Sequence, residues 1–133
     1  MTIIDPIADL FTRIRNGLNV NHRTVIVTYS RMKIAVLKIL KEEGFILFYE
    51  IENTDLNKKV IKVGLKYSST GKSIIQKIIR KSKPSKRVYV QKSEIPKVRN
   101  GFGICILSTS SGILSGRAAR LKNVGGELLG LVY

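Results

Sequence analysis

Gly71-Lys72-Ser73-Ile74-Ile75-Gln76-Lys77-Ile78-Ile79-Arg80 is the stretch that decides what the second half of this 133-residue chain becomes. Isoleucines 74, 75, 78 and 79 recur at helical spacing, and taken alone the segment predicts a helix. The same residues are β-branched, with stiff side chains that also suit a pleated strand. As a strand, the stretch leaves the second half of the chain rich in strands.

Upstream, Ser68-Ser69-Thr70-Gly71 is small, polar and flexible, and marks a boundary. It divides the chain into residues 1–67 and 68–133. The first part reads as an α-β-α-β-β unit with its own core. Asp5 caps a helix and Pro6 fits its first position. Ile7, Leu10, Phe11 and Ile14 form one apolar face, and Gly17 ends the helix. Val25–Val27 is a short strand. Ser30 caps a second helix that turns Met32, Val36, Ile39 and Leu40 inward and stops at Gly44. Phe45–Ile51 and Val60–Tyr67 are strands joined by a turn at Asn53–Asn57.

Downstream, Lys83-Pro84-Ser85 is a turn, and Arg87–Gln91 alternates like a strand. Ser93–Asn100 reads as a short capped helix ended by Gly101. Gly103–Ser108 is an apolar, buried strand. Ser115–Leu121 makes a turn or two of helix, and Glu127–Val132 closes the chain as a strand. The fold class is α+β: an N-terminal α-β-α-β-β domain packed against a strand-rich C-terminal domain.

Charge divides the chain at nearly the same place. Residues 1–55 hold seven basic and seven acidic side chains, a net of 7 − 7 = 0. Residues 56–133 hold seventeen basic and two acidic side chains, a net of 17 − 2 = +15. Leu56–Ser93 contains twelve Lys or Arg and no acid. A polymer of phosphates is the commonest partner for such a field, because neutralised phosphates release condensed counterions. A membrane surface is the other standard option. No apolar run approaches the ~18 residues of a membrane span, and Met1–Pro6 lacks a leader signature. One cysteine provides neither a disulfide nor a thiolate metal cage, and implies a reducing compartment.

Enzyme chemistry has little material. Ser69-Thr70-Gly71-Lys72-Ser73 resembles the end of a phosphate-cradling loop, but the glycine required five residues before Gly71 is Lys66. The basic half offers only Glu94 and Glu127 for acid–base work. His22 lies in a polar loop, and Cys105 sits in an apolar run where thiols are buried and inert. Ser108-Thr109-Ser110-Ser111-Gly112 is more informative. Its hydroxyls can bond phosphate, ribose or a base edge, or simply close a Ser-rich turn. Gly125 and Gly126 permit a close backbone approach. Glu127 is either a specific acceptor or a salt-bridge partner for Arg117 or Arg120. Tyr89, between Arg87 and Lys92, offers a stacking ring or one more half-buried strand residue.

Taken in order, Asp5-Pro6-Ile7-Ala8-Asp9, Thr12-Arg13-Ile14-Arg15-Asn16, Glu42-Glu43-Gly44-Phe45-Ile46, Ser108-Thr109-Ser110, Arg117-Ala118-Ala119-Arg120 and Gly125-Gly126-Glu127 closely resemble the small-subunit ribosomal protein number eight family. The likeness runs in register from residue 3 to residue 133. It implies a strand at Ile74–Ile79 and no catalysis or cofactor. It further implies direct binding to the central domain of small-subunit rRNA, a part in its assembly, and neighbouring ribosomal proteins as partners. It places the protein on the ribosome, in a bacterial cytoplasm or plastid stroma, with no membrane and no small-molecule substrate. It also implies binding to its own mRNA, through which many bacterial members repress their operon. A free-standing mRNA regulator and a nucleotide-binding enzyme are the alternatives.

Under this resemblance Ser108, Thr109 and Ser110 read RNA shape and edges, and Tyr89 stacks or bonds ribose. Gly125, Gly126 and Glu127 admit and fix an unstacked base. Lys83, Lys86 and Arg87 hold phosphates at the Pro84-Ser85 turn. Arg15, Asn16, Ser30 and Lys33 form a weaker second contact. The chain departs from the family pattern at Ser111, usually long and often basic; at Lys83-Pro84-Ser85, usually Arg-Pro-Gly; and at Gly116, usually acidic.

Overall fold

The computed structural model describes residues 5–133; Met1–Ile4, read above for a leader signature, lie outside them. Asp5 opens α1 (Pro6–Asn19) by accepting the Ala8 amide at 3.1 Å. Ile7, Leu10, Phe11 and Ile14 are buried, as their spacing requires. The helix does not stop at Gly17. That glycine lies inside it because a Cβ there would sit 2.4 Å from Val25 Cγ1, so α1 presses directly on β1 (Thr24–Thr28). Ser30 caps α2 (Arg31–Glu42), which buries Val36, Leu37, Ile39 and Leu40. Met32 points out rather than in, and Lys33 takes the inward place. β2 (Ile46–Asn53) and β3 (Lys59–Leu65) complete an antiparallel sheet of order β1-β3-β2.

The second half is built round one strand. β8 (Gly126–Val132) pairs with β4 (Ile78–Arg80), β5 (Tyr89–Val90) and β6 (Ile104–Thr109), all antiparallel. β6 also pairs with β7 (Gly112–Ser115), a strand with no counterpart in the sequence reading. α3 (Gly116–Leu121) follows. The molecule is therefore an α+β fold with antiparallel sheets.

The helix that the spacing predicts over Ile74–Ile79 does not form. Residues 78–80 are strand, and the Gln76 and Lys77 amides both donate to the Tyr133 carbonyl, at 2.7 and 2.8 Å. Ile75 and Ile78 are buried while Ile74 and Ile79 are half-buried. Two isoleucine pairs separated by two exposed polar residues imitate helical spacing over so short a window. The helix expected at Ser93–Asn100 is replaced by two 3₁₀ turns, Lys92–Glu94 and Val98–Gly101. Pro96 between them has no amide to continue a helix, and Arg99 and Asn100 are left-handed, with φ of 49° and 54°.

The main hydrophobic cluster does not end at residue 67. Ile7, Phe11 and Ile14 share it with Val36, Leu40, Ile61 and Val63, and also with Ile75, Ile78, Ile106, Leu129 and Val132. Polar ties cross the same seam. Arg80 donates to the Asp5 carboxylate at 3.1–3.3 Å and to the Leu129 carbonyl at 2.7 Å. Arg15 donates to the Ile78 carbonyl. A second, smaller cluster of Ile95, Val98, Cys105, Leu107, Ala119 and Leu128 lies between the sheet and α3. Among the described residues no helix is long and apolar enough to cross a membrane.

Candidate nucleic-acid interface

Three stretches that are separate in sequence meet on one row of the second sheet. Glu127 in β8 lies opposite Tyr89 of β5 on one side and opposite Ser108 of β6 on the other. Residues directly opposite on an antiparallel ladder project to the same face. Their neighbours Leu107 and Leu128 pair one step along, and project to the other face, into the smaller core. The alternation that buries that core therefore presents Tyr89, Glu127 and Ser108 together. Tyr89, at 69% exposure, holds its ring in solvent on this row.

The two glycines before Glu127 have an internal reason. A Cβ on Gly126 would sit 2.1 Å from the Ser108 carbonyl oxygen, and one on Gly125 would sit 2.4 Å from that of Val90. The close approach is made by the protein's own strands, which fixes the spacing of the row. Gly116, where the family pattern is usually acidic, has a similar account: a Cβ there would be 2.3 Å from Cys105 Sγ.

The hydroxyl run caps the β6–β7 hairpin. Thr109 Oγ1 donates to the Gly112 carbonyl at 2.7 Å and accepts the Ser111 amide at 3.1 Å. Its hydroxyl proton is thus committed to the turn, as Ser and Thr often are. Ser108 is half-buried, while Ser110 and Ser111 are exposed at the tip. Gly112 closes the turn with φ of 102°.

Glu127 does not pair with Arg117 or Arg120. Its Oε2 accepts from Arg87 Nη1 at 2.8 Å and from Ser82 Oγ. Burial would raise its pKa, but the bonds from Ser82 and Arg87 and the nearby guanidinium charges outweigh that and hold it below the usual carboxylate range. Ser82, fully buried, also accepts the Val88 amide at 3.1 Å. It pins the Lys83–Lys86 turn to β8, and sequence reasoning missed it. A small hydroxyl residue within a run of lysines was its only signal. The turn is a tight loop in which Lys83 and Lys86 exchange two backbone bonds at 3.0 Å. Lys83, Pro84, Ser85, Lys86 and Arg87 are all exposed there.

The proposed second contact is not gathered in the same way. Asn16 is exposed on α1 next to Arg15, and Ser30 is spent on capping α2. Lys33 is 1% exposed, and its ammonium donates to Asp9 Oδ2 at 2.7 Å, Thr28 Oγ1 at 2.8 Å and the Thr28 carbonyl at 3.1 Å. All three protons are used inside the protein, so Lys33 presents no charge to a phosphate. It locks α2 onto α1 and the end of β1.

The rival chemistries lose their geometry. Ser68–Lys72 folds back on itself, with the Ser68 amide on the Lys72 carbonyl at 2.6 Å, and no helix follows Ser73 to complete a phosphate loop. Cys105 is 2% exposed, and burial pushes its thiol pKa up. His22 stands exposed in the α1–β1 loop.

Comparison with known proteins agrees with this architecture. The family model described as Ribosomal protein S8 matches residues 5–133. The small ribosomal subunit protein uS8 of Thermodesulfovibrio yellowstonii is 48% identical over 131 residues, covering 98% of this chain and 99% of the relative. Proteins of the same name from Dictyoglomus thermophilum and Syntrophus aciditrophicus are 50% and 46% identical over the full length of both chains. A match of that extent, over a fold carried whole from α1 to β8, places the chain in the ribosomal protein S8 family.

Proposed function

We propose that this protein is a structural, non-enzymatic constituent of the small ribosomal subunit that binds the central domain of 16S-type rRNA directly and helps that domain assemble. The register row Tyr89–Glu127–Ser108 carries the reading. It sets an exposed ring and a hydroxyl loop beside the exposed cations of the Lys83–Arg87 turn. Stacking and hydroxyl contacts suit splayed RNA bases, and the cations suit the backbone. Residues 68–133 supply the principal contact, and residues 1–67 an accessory one through Arg15 and Asn16. Neighbouring small-subunit proteins are further partners. The protein's own mRNA is a second RNA ligand, through which it represses its operon.

Filter binding of the full chain to a central-domain transcript and to a scrambled duplex tests this. With about five to eight phosphates neutralised, log affinity falls with log salt at a slope of roughly −4 to −7. Ser110→Ala removes an exposed hydroxyl and no charge. It is expected to weaken cognate binding by about 1–3 kcal/mol at an unchanged slope. Thr109→Ala instead lowers the melting temperature, because its hydroxyl holds the turn. Lys86→Ala reduces the slope by about one on any RNA. Equal affinity of the wild-type chain for both RNAs would sink the proposal.

A further inference from the structure

At the end of β6 away from the hydroxyl loop, a pocket of about 110 Å³ opens between the Pro96–Gly103 segment and α3. Its charged lining is Lys97, Arg117 and Arg120, with Glu43 from the C-terminal end of α2. Among the described residues, none of these four is in an ion pair. Arg120 Nη1 leans on the Ile95 and Pro96 carbonyls, each at 3.4 Å. Three cations against one acid give the pocket a net positive field. The pocket has space for a phosphate group.

Beside it stands Phe102, 88% exposed, between Gly101 and Gly103, both of which line the pocket. The backbone that holds it there is strained. Arg99, Asn100 and Gly101 are three consecutive left-handed residues, with φ of 49°, 54° and 95°. The turn is nonetheless well pinned. The Phe102 amide donates to the Arg99 carbonyl at 3.1 Å, and the Gly103 amide to that of Val98 at 3.0 Å. The Arg99 guanidinium lies 4.3 Å from the centre of the Tyr133 ring. Left-handed non-glycine residues persist only where the surroundings impose them, and they cluster at ligand clamps. Here they hold an aromatic ring in water, next to a cationic pocket and among glycine, asparagine and arginine. A protein partner would be met by an apolar patch. A lone ring beside a phosphate-sized cationic pocket fits a ligand with a flat π-face joined to an anion.

We propose that Phe102 and the Lys97–Arg117–Arg120 pocket form a second RNA subsite that takes one unpaired nucleotide, its base on the Phe102 ring and its phosphate in the pocket. The subsite rests on the RNA-binding reading above but is separate from the Tyr89 row. Five steps of β6 at ~3.3 Å each put the two ends of the strand about 16 Å apart.

Full-length variants binding a central-domain transcript test it. Phe102→Ala and Phe102→Leu are each expected to weaken binding by about 5- to 100-fold at an unchanged salt slope, because the stacked base is lost. Phe102→Trp, which keeps a stacking face, retains affinity. Arg117→Gln lowers the salt slope by about one. Melting temperatures of the Phe102 variants stay at the wild-type value, since the side chain touches little. Wild-type affinity in Phe102→Ala overturns the subsite. So does full rescue by Phe102→Leu, which marks an apolar protein contact instead. A wild-type chain that fails to prefer its cognate RNA overturns this subsite and the RNA-binding reading together, and that result is visible before any variant is made.

Discussion

Asp9→Ala is expected to destabilise the protein by about 3–5 kcal/mol, while Lys33→Met is expected to be neutral or stabilising. Both changes break the same 2.7 Å ion pair. They differ in what remains. Without Asp9, a 98%-buried ammonium keeps only the two Thr28 oxygens and loses its counter-charge. Without Lys33, a methionine of similar length fills the apolar stripe, and Asp9, at 19% side-chain exposure, turns to water and Arg13. Urea denaturation of the two variants measures the difference directly. A cost below about 1 kcal/mol for Asp9→Ala would mean that water reaches the ammonium. The pair also gives stability a pH dependence. Burial raises the Asp9 pKa, but the hydrogen bond and charge of Lys33 and the charge of Arg13 outweigh it, and the net shift is down. A carboxylate with a lowered folded pKa contributes stability above its unfolded value, near 4, and loses it as pH falls through the folded value. Glu127 is lowered in the same way. Stability is therefore expected to be flat in these groups at neutral pH and to decline below about pH 4.

Gly126→Ala is expected to cost about 3 kcal/mol or more, and to abolish specific RNA binding in whatever fraction remains folded. The added methyl would lie 2.1 Å from the Ser108 carbonyl oxygen and 2.9 Å from its carbon. Both are backbone atoms, so no side-chain rotation relieves the clash, and β6 must move away from β8. That movement breaks the Ser108–Glu127 step of the row on which the proposed RNA face depends. Gly71→Ala is the control. Its Cβ would meet nothing within 4 Å, so only the left-handed φ of 86° is penalised, by about 1 kcal/mol. Melting curves and filter binding on both variants separate strand spacing from glycine loss in general.

The first half was legible because its signals are local. Asp5 and Ser30 cap helices where their side chains predict, and the Val25 and Val60 runs pair as strands. The failures come from information that is not local. Ile74–Ile79 imitates a helix over a short window, and its strand form is set by partners far along the chain, α1 packing on β4 and β8 pairing with it. Glu127 chose Arg87 through the β5–β8 pairing, and spacing along the chain gave no hint of it. β7 is four residues long and hidden behind serines. Lys33 was misread although a signal existed. It falls at 33, 36, 37 and 40, the apolar stripe of α2, and a lysine on such a stripe points inward. Of the candidate site, sequence order supplied the motifs. The strand register, which no periodicity reveals, brought Tyr89, Ser108 and Glu127 onto one row.

The position of β8 at the hub of its sheet governs when this protein becomes usable during its own synthesis. β4 and β5 find their ladder partner only in β8, which is translated after both. A nascent chain that has emerged as far as Asn123 holds the β6–β7 hairpin and the first sheet, but has no strand for the Lys83–Arg87 segment to lie against. The proposed RNA face is thus closed only by β8, which follows every other described strand in the chain. A product that stops before β8 lacks the Tyr89–Glu127–Ser108 row, so the order of the strands makes the proposed face depend on β8 being present.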